Sequence, residues 1–121
     1  MTAGGSTHSA RFSSSKQQEK PGNCGRRRQL LPGNSNRQFA VSEVIIQNAR
    51  AHHHETSWEL YIIKKGHGTL VLDTQRVAVR EGDIIEIPPG VVHQAIAEPE
   101  MTVYVVMSPH GSEEEDIVYA D

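Results

Sequence analysis

Cysteine is almost missing from this chain. Cys24 is the only one in 121 residues, so no disulfide can close within the chain and no thiolate cluster can hold a metal. A lone thiol fits a reducing compartment, and the cytoplasm is the expected location. Long apolar runs are missing too. Nothing approaches the ~20 consecutive apolar residues that span a bilayer, and no apolar signal-peptide core follows Met1. A soluble protein without a membrane partner is expected. After residue 38 no stretch keeps a helical period, which argues against a helical bundle or a helix-turn-helix DNA reader.

Apolar residues make up only 36% of the chain, low enough to imply that part of it contributes little to a core. Residues 1–37 carry seven Lys/Arg and a single acid, Glu19, for a charge of +6. Residues 38–121 carry five Lys/Arg and fourteen acids, for −9. The first segment is rich in Gly, Ser, Gln, Asn and Arg, with too little apolar surface to offset the entropy of ordering it. It is expected to be a disordered basic tail, and removing it is expected to leave stability and metal binding nearly unchanged. Its Arg- and Ser-rich, acid-poor composition also fits an organelle transit peptide, the alternative reading, although no amphipathic helix is evident. The cluster Arg26-Arg27-Arg28 lacks interleaved aromatics and makes a small electrostatic footprint, so a nucleic-acid partner is not expected.

From residue 38 the pattern turns to short strands punctuated by turns. Residues 39–47 form a first strand region. Residues 68–72 and 76–80 flank a hairpin loop at Asp73, Thr74 and Gln75. Gly82 and Asp83 precede a strand at 84–87, and Pro88-Pro89-Gly90 precedes another at 91–96. Glu98-Pro99-Glu100 predicts a further turn before a strand at 101–107. Strands at spacings near ten residues predict one all-β domain, a sandwich or barrel over 38–121. The acidic run 113–116 reads as solvated, and 117–119 as an added edge strand.

The chemistry concentrates in HHHETSWELYIIKKG, residues 52–66. His52 and His54 project from one face of an extended strand, while His53 points away. Glu59 opens a β-branched and aromatic run. Two imidazoles and a carboxylate make an incomplete metal shell, and His93 offers another ligand. His8, His67 and His110 read as ordinary polar residues.

The order His52-x-His54, four residues, Glu59, six residues, Gly66 resembles the first motif of the cupins. Gly82, five residues, Pro88-Pro89-Gly90, two residues, His93 resembles their second. Two positions depart from the pattern: Ile46 stands where Gly usually begins the first motif, and Ala97 where Asn usually ends the second. The resemblance covers about residues 38–110. It implies a double-stranded β-helix, a jelly-roll barrel, holding one divalent metal on His52, His54, Glu59 and His93. Three imidazoles and a carboxylate suit Fe, Mn, Ni, Cu or Zn without choosing among them, and leave coordination positions open.

Facing arguments place Tyr61 and Ile63 inward with Glu59, and Val91, Ala95 and Ala97 inward with His93. The pocket is then expected to be roomy and mainly apolar, suited to a small-molecule ligand. Outward Leu60 and Ile62, with Val44 or Ile45, offer a face for the homodimer common among small cupins. The leading functional expectation is a metalloenzyme acting on a small organic substrate. Dioxygenase-like chemistry is favoured over isomerase-like chemistry, because no free acid–base pair is evident and no catalytic residue beyond the metal ligands can be named. A non-catalytic ligand-binding or sensing module is the alternative.

Overall fold

The computed structural model describes residues 11–13, 17–22, 24–33, 37–110 and 116–120. Within them the chain forms ten strands: β1 (Lys20–Gly22), β2 (Gly25–Leu31), β3 (Ala40–Asn48), β4 (His52–His54), β5 (Trp58–Lys65), β6 (His67–Leu72), β7 (Gln75–Arg80), β8 (Ile84–Ile87), β9 (His93–Ser108) and β10 (Ile117–Tyr119). All pairings are antiparallel. The all-β jelly-roll barrel implied by the sequence motifs is the observed fold. No helix among the described residues is long and apolar enough to cross a membrane.

The long strand β9 organises the architecture. Its second half lies between β3 and β5, with Val103 opposite both Val44 and Ile63. Its first half pairs with β6 from His93 to Ala97 and touches β4 at His93 and His52. One layer therefore runs β1-β2-β3-β9-β5-β8 and the other β10-β4-β9-β6-β7, joined through a single strand. The turn expected at Glu98-Pro99-Glu100 is corrected to a bend inside β9. The backbone stays extended there because β9 only changes partners, leaving β6 after Ala97 and meeting β5 at Thr102. Gly66, at φ +88°, crosses directly over this bend, where a Cβ would come 2.8 Å from the Glu100 carbonyl oxygen. Only glycine fits both that conformation and that approach.

Period-two alternation fills the barrel as the sequence predicts. Along β5, Glu59, Tyr61 and Ile63 are buried while Leu60 and Ile62 are only half-buried. Ile46, Ile63, Leu70, Ile87, Met101 and Val103 are almost wholly inaccessible and form the core between the layers. Each such side chain contributes ~1.5–3 kcal/mol relative to exposure. Ile46 and Ala97, the two departures from the motif pattern, both pack in this core. Val44 packs against the core too, which leaves Ile45 as the outward residue of that pair.

Within the segment expected to be a tail, Lys20–Gly22 and Gly25–Leu31 are strands. These residues form β1 and β2, and β2 runs antiparallel along β3 from Gly25 opposite Ile46 to Leu31 opposite Val41. Composition argued for disorder because this strand brings little apolar surface. What holds it is backbone pairing to the open edge of β3, reinforced by charge. Arg28 reaches the buried Glu43 carboxylate at 3.4 Å and Glu19 at 2.9 Å, and Arg26 reaches Glu19 at 2.9 Å. Glu43 also accepts from Lys64 at 3.1 Å. Residues 1–10 of the expected tail, and Glu113-Glu114-Glu115 of the acidic run, lie outside the described residues.

Candidate metal centre

β4 is only three residues long, yet it is fixed on every side. On one edge it pairs with β10, Ile117 opposite His54 and Tyr119 opposite His52. On the other it meets β9, and the Pro88-Pro89-Gly90 turn donates the Gly90 N–H to the His54 carbonyl at 2.9 Å. The alternation of a strand then turns His52 and His54 inward, each 3% exposed, and His53 outward to Glu55 at 3.0 Å. Glu59 enters from the start of β5 and His93 from the start of β9, at 4% and 1% exposure. Asp73 steadies the approach to His93, accepting the Val92 N–H on its side chain at 3.0 Å.

These four residues offer one ligand atom each within 4.8 Å of one another. Glu59 Oε1 lies 3.1 Å from His54 Nε2 and 3.1 Å from His93 Nε2. Despite that closeness, the buried Glu59 Oε1 and His93 Nε2 have no aligned hydrogen-bond partner among the described residues. The two atoms are close without being aligned to each other. That is how ligands to a common cation are arranged, and a buried polar group left without such a partner would be costly. The four residues could hold a metal ion. Both ends of the imidazoles fit this use: Nδ1 of His52 is 2.7 Å from the Arg50 carbonyl and Nδ1 of His93 is 3.0 Å from the Val91 carbonyl. A proton held on Nδ1 leaves Nε2 as the donor nitrogen.

The charge states suit a cation at neutral pH. Burial pulls the His52 pKa down to about 4, so its imidazole is neutral and its lone pair is available. Burial pushes the Glu59 carboxyl up, but contacts with His54 and His93 outweigh it and bring the pKa down to about 2. Glu59 therefore stays ionised.

The centre opens into a cavity of about 610 Å³. Its inner wall carries the expected Tyr61, with Val44, Ile46, Val105 and Met107. The outer wall corrects the expectation of a mainly apolar pocket. Lys20, Arg27, Gln29 and Ser42 line it, and most of these come from the β1–β2 segment assigned to a tail. Inward-facing polar residues on β2 carry no alternation signal, so sequence pattern could not reveal this wall. His67 and His110 are exposed and stand apart from the site, and His8 is outside the described residues.

Sequence reasoning missed one residue of consequence. Asp116, read as part of a solvated acidic run, is 6% exposed. Its Oδ1 accepts the Thr56 N–H and hydroxyl, both at 2.9 Å, and its Oδ2 accepts the Ser57 N–H at 3.3 Å and lies 3.3 Å from His54 Nδ1. Burial raises its pKa, but these bonds outweigh that and hold the carboxyl below the usual carboxylate range. Nothing local distinguishes Asp116 from the three glutamates before it; only the pairing of β10 with β4 does.

Comparison with known proteins agrees with this architecture. The cupin domain family model matches residues 43–109, more than half of the chain. An uncharacterised protein of Methanocaldococcus jannaschii is 44% identical over 43 residues, which is 36% of this chain and 34% of that protein. The matched stretch thus spans about a third of the length of that relative. Among solved structures, a protein from Planctomyces limnophilus superposes with a TM-score of 0.84 at 23% identity, over 93% of this chain and 98% of its own. Pac13 of Streptomyces, described as a nucleoside dehydratase, superposes with a TM-score of 0.73 at 16% identity, over 93% of this chain and 92% of its own. At these identities the structural likenesses establish the fold alone. With the family match covering both halves of the histidine–glutamate constellation, the chain belongs to the cupin domain family.

Proposed function

We propose that this protein is a metal-dependent enzyme acting on a small, polar organic molecule, with one divalent transition metal held by His52, His54, Glu59 and His93. The observation that carries the reading is a cluster of four buried ligand residues, three of which, His52, His54 and Glu59, line an open cavity of about 610 Å³. A structural site would be closed, whereas a working one keeps room beside the metal. Bound there, an ion supplies Lewis acidity and, if redox-active, the electrons that O₂ chemistry needs. The chain's own groups orient the substrate. Tyr61 and the apolar inner wall shape the space, and Lys20, Arg27 and Gln29 offer polar contacts farther out.

Within the enzyme reading, oxidation by O₂ ranks ahead of isomerisation. Glu59 is the only carboxylate among the described lining residues, and it is engaged as a ligand. Glu55, the other nearby candidate for a base, is exposed and turned to His53. Non-redox chemistry would need a free base near the substrate. That requirement has a counterweight, since a protein of the same fold is described as a dehydratase. The test is turnover: the iron-loaded protein in an oxygen electrode against panels of small hydroxylated and anionic compounds, with the manganese- and zinc-loaded forms in isomerase and dehydratase screens. Substrate-dependent O₂ uptake supports the oxygenase reading. Conversion without O₂ moves the assignment to isomerisation or dehydration. Ligand-induced shifts in melting temperature without turnover favour the binding-module alternative.

We also propose a homodimer, formed through the outer face of β5, β8 and β9. Trp58 is 47% exposed and Ile84 65%, and Ile62 lies between Ile84 and Tyr104 in register on that face. A cleft of about 200 Å³ beside them is lined by Trp58, Leu60 and Val106. Exposed apolar surface of this kind is usually covered by a partner. The lone Cys24 and the absence of disulfides fit a cytoplasmic setting.

A further inference from the structure

We infer that Asp116 is a positioning residue of the metal centre: its carboxylate, placed immediately before β10, draws the His54 proton to Nδ1 and so presents Nε2 to the metal. This rests on the metal-centre reading above. The Nδ1 atoms of the three histidines face different groups. Backbone carbonyls two residues earlier on the chain hold His52 and His93, Arg50 O at 2.7 Å and Val91 O at 3.0 Å. At His54 the group beside Nδ1 is a carboxylate oxygen, Asp116 Oδ2 at 3.3 Å, brought from a distant part of the chain; the two are close enough to attract but are not aligned as a hydrogen bond. A carboxylate held beside an imidazole nitrogen attracts the ring proton to that nitrogen, and so raises the basicity of the opposite one.

The carboxylate is itself fixed. The Thr56 N–H and hydroxyl hold Oδ1, the Ser57 N–H reaches Oδ2, and the Glu55 N–H donates to the Asp116 carbonyl at 3.0 Å. The loop between the two ligand strands, β4 and β5, is thus clamped by the same side chain that faces His54. Farther along β10, the Tyr119 ring lies 3.7 Å from the Arg50 guanidinium carbon, and Arg50 is the residue whose carbonyl holds His52. β10 and the residue just before it therefore brace both inward-facing histidines of β4.

The consequence is specific to proton placement. In Asp116→Asn the loop donors retain the amide oxygen at the Oδ1 position, which turns the NH₂ group toward His54 Nδ1. A donor facing Nδ1 drives the imidazole proton to Nε2, where it blocks the metal. Thr56→Val removes one hydrogen bond to Asp116 and leaves the His54 contact in place.

The experiment titrates CoCl₂ into the metal-free, full-length wild type and both variants, following the cobalt d–d absorption. In parallel, histidine ¹⁵N shifts of the metal-free wild type and Asp116→Asn report which His54 nitrogen bears the proton. Asp116→Asn is expected to lower Co²⁺ affinity ~10–100-fold, with Thr56→Val close to wild type, and to move the proton off Nδ1. Wild-type affinity in Asp116→Asn, or an equal loss in Thr56→Val, overturns the proposal. So does a bare His54 Nδ1 in the wild type. If the wild type binds no Co²⁺, the metal reading fails, while the ¹⁵N shifts of the metal-free protein still decide what Asp116 does.

Discussion

Glu59 Oε1 and His93 Nε2 lie 3.1 Å apart in the interior, and neither forms an aligned hydrogen bond among the described residues. A cation between two buried polar atoms in that relationship would satisfy both. Glu59→Gln keeps the shape and removes the charge. Metal affinity is expected to fall by more than the ~10–100-fold typical of an outer-shell change, measured by competition with a chelating dye. An affinity unchanged by the substitution would remove Glu59 from the ligand set.

The pH dependence of the metal-free protein follows from His52. Its pKa is about 4 when folded against 6.5 for the free side chain. The unfolded chain therefore takes up a proton at His52 before the folded one does. Stability contributed by this group is full above pH 6.5 and is lost as pH falls toward 4, by ~3 kcal/mol at most. Glu59, lowered from 4.5 to about 2, adds a second loss in the same direction at still lower pH. Urea unfolding of metal-free wild type and His52→Gln between pH 7 and pH 4.5 should show the steeper decline in the wild type. Parallel curves would mean that His52 is not held neutral.

Deletion of residues 1–31 is expected to lower the melting temperature by roughly 5 °C or more, since ~1 kcal/mol corresponds to several degrees in a small domain. The deletion strips β2 from β3 and uncovers Glu43, buried beneath Arg28 and Lys64. It also removes one wall of the cavity, so weak ligands should bind less tightly even where metal content is kept. Scanning calorimetry measures the first effect. An unchanged melting temperature would restore the view of this segment as a dispensable tail.

The proposed dimer face makes its own claim. Ile84→Lys combined with Trp58→Ser should convert a dimer into a folded monomer, read as mass by light scattering. A wild type that is already monomeric at micromolar concentration would end the proposal.

Much of this was legible in the sequence where local pattern and tertiary role coincide. His52 and His54 share a face because strands alternate, Glu59 leads a β-branched run, and the Pro88-Pro89-Gly90 turn ends just before the His93 strand. β1 and β2 were not legible because no apolar stripe marks them; they hold by edge pairing and by Arg28–Glu43, interactions that depend on the partner strand. Asp116 was hidden differently. An aspartate closing an acidic run looks solvated, and only the pairing of Ile117 with His54 carries it into the interior. Pro99 misled in the opposite sense: it marks a bend where β9 exchanges neighbours, and the strand continues through it.

The central claim is that the four convergent side chains hold a metal, and the most direct measurement is elemental analysis of untagged protein beside His93→Ala and the His52→Ala/His93→Ala double variant. The account predicts about one transition-metal ion per wild-type chain, with little or none in either variant, and circular dichroism spectra that remain those of a folded β protein. A wild type that stays metal-free after anaerobic reconstitution, or a His93→Ala variant with undiminished metal, would contradict it.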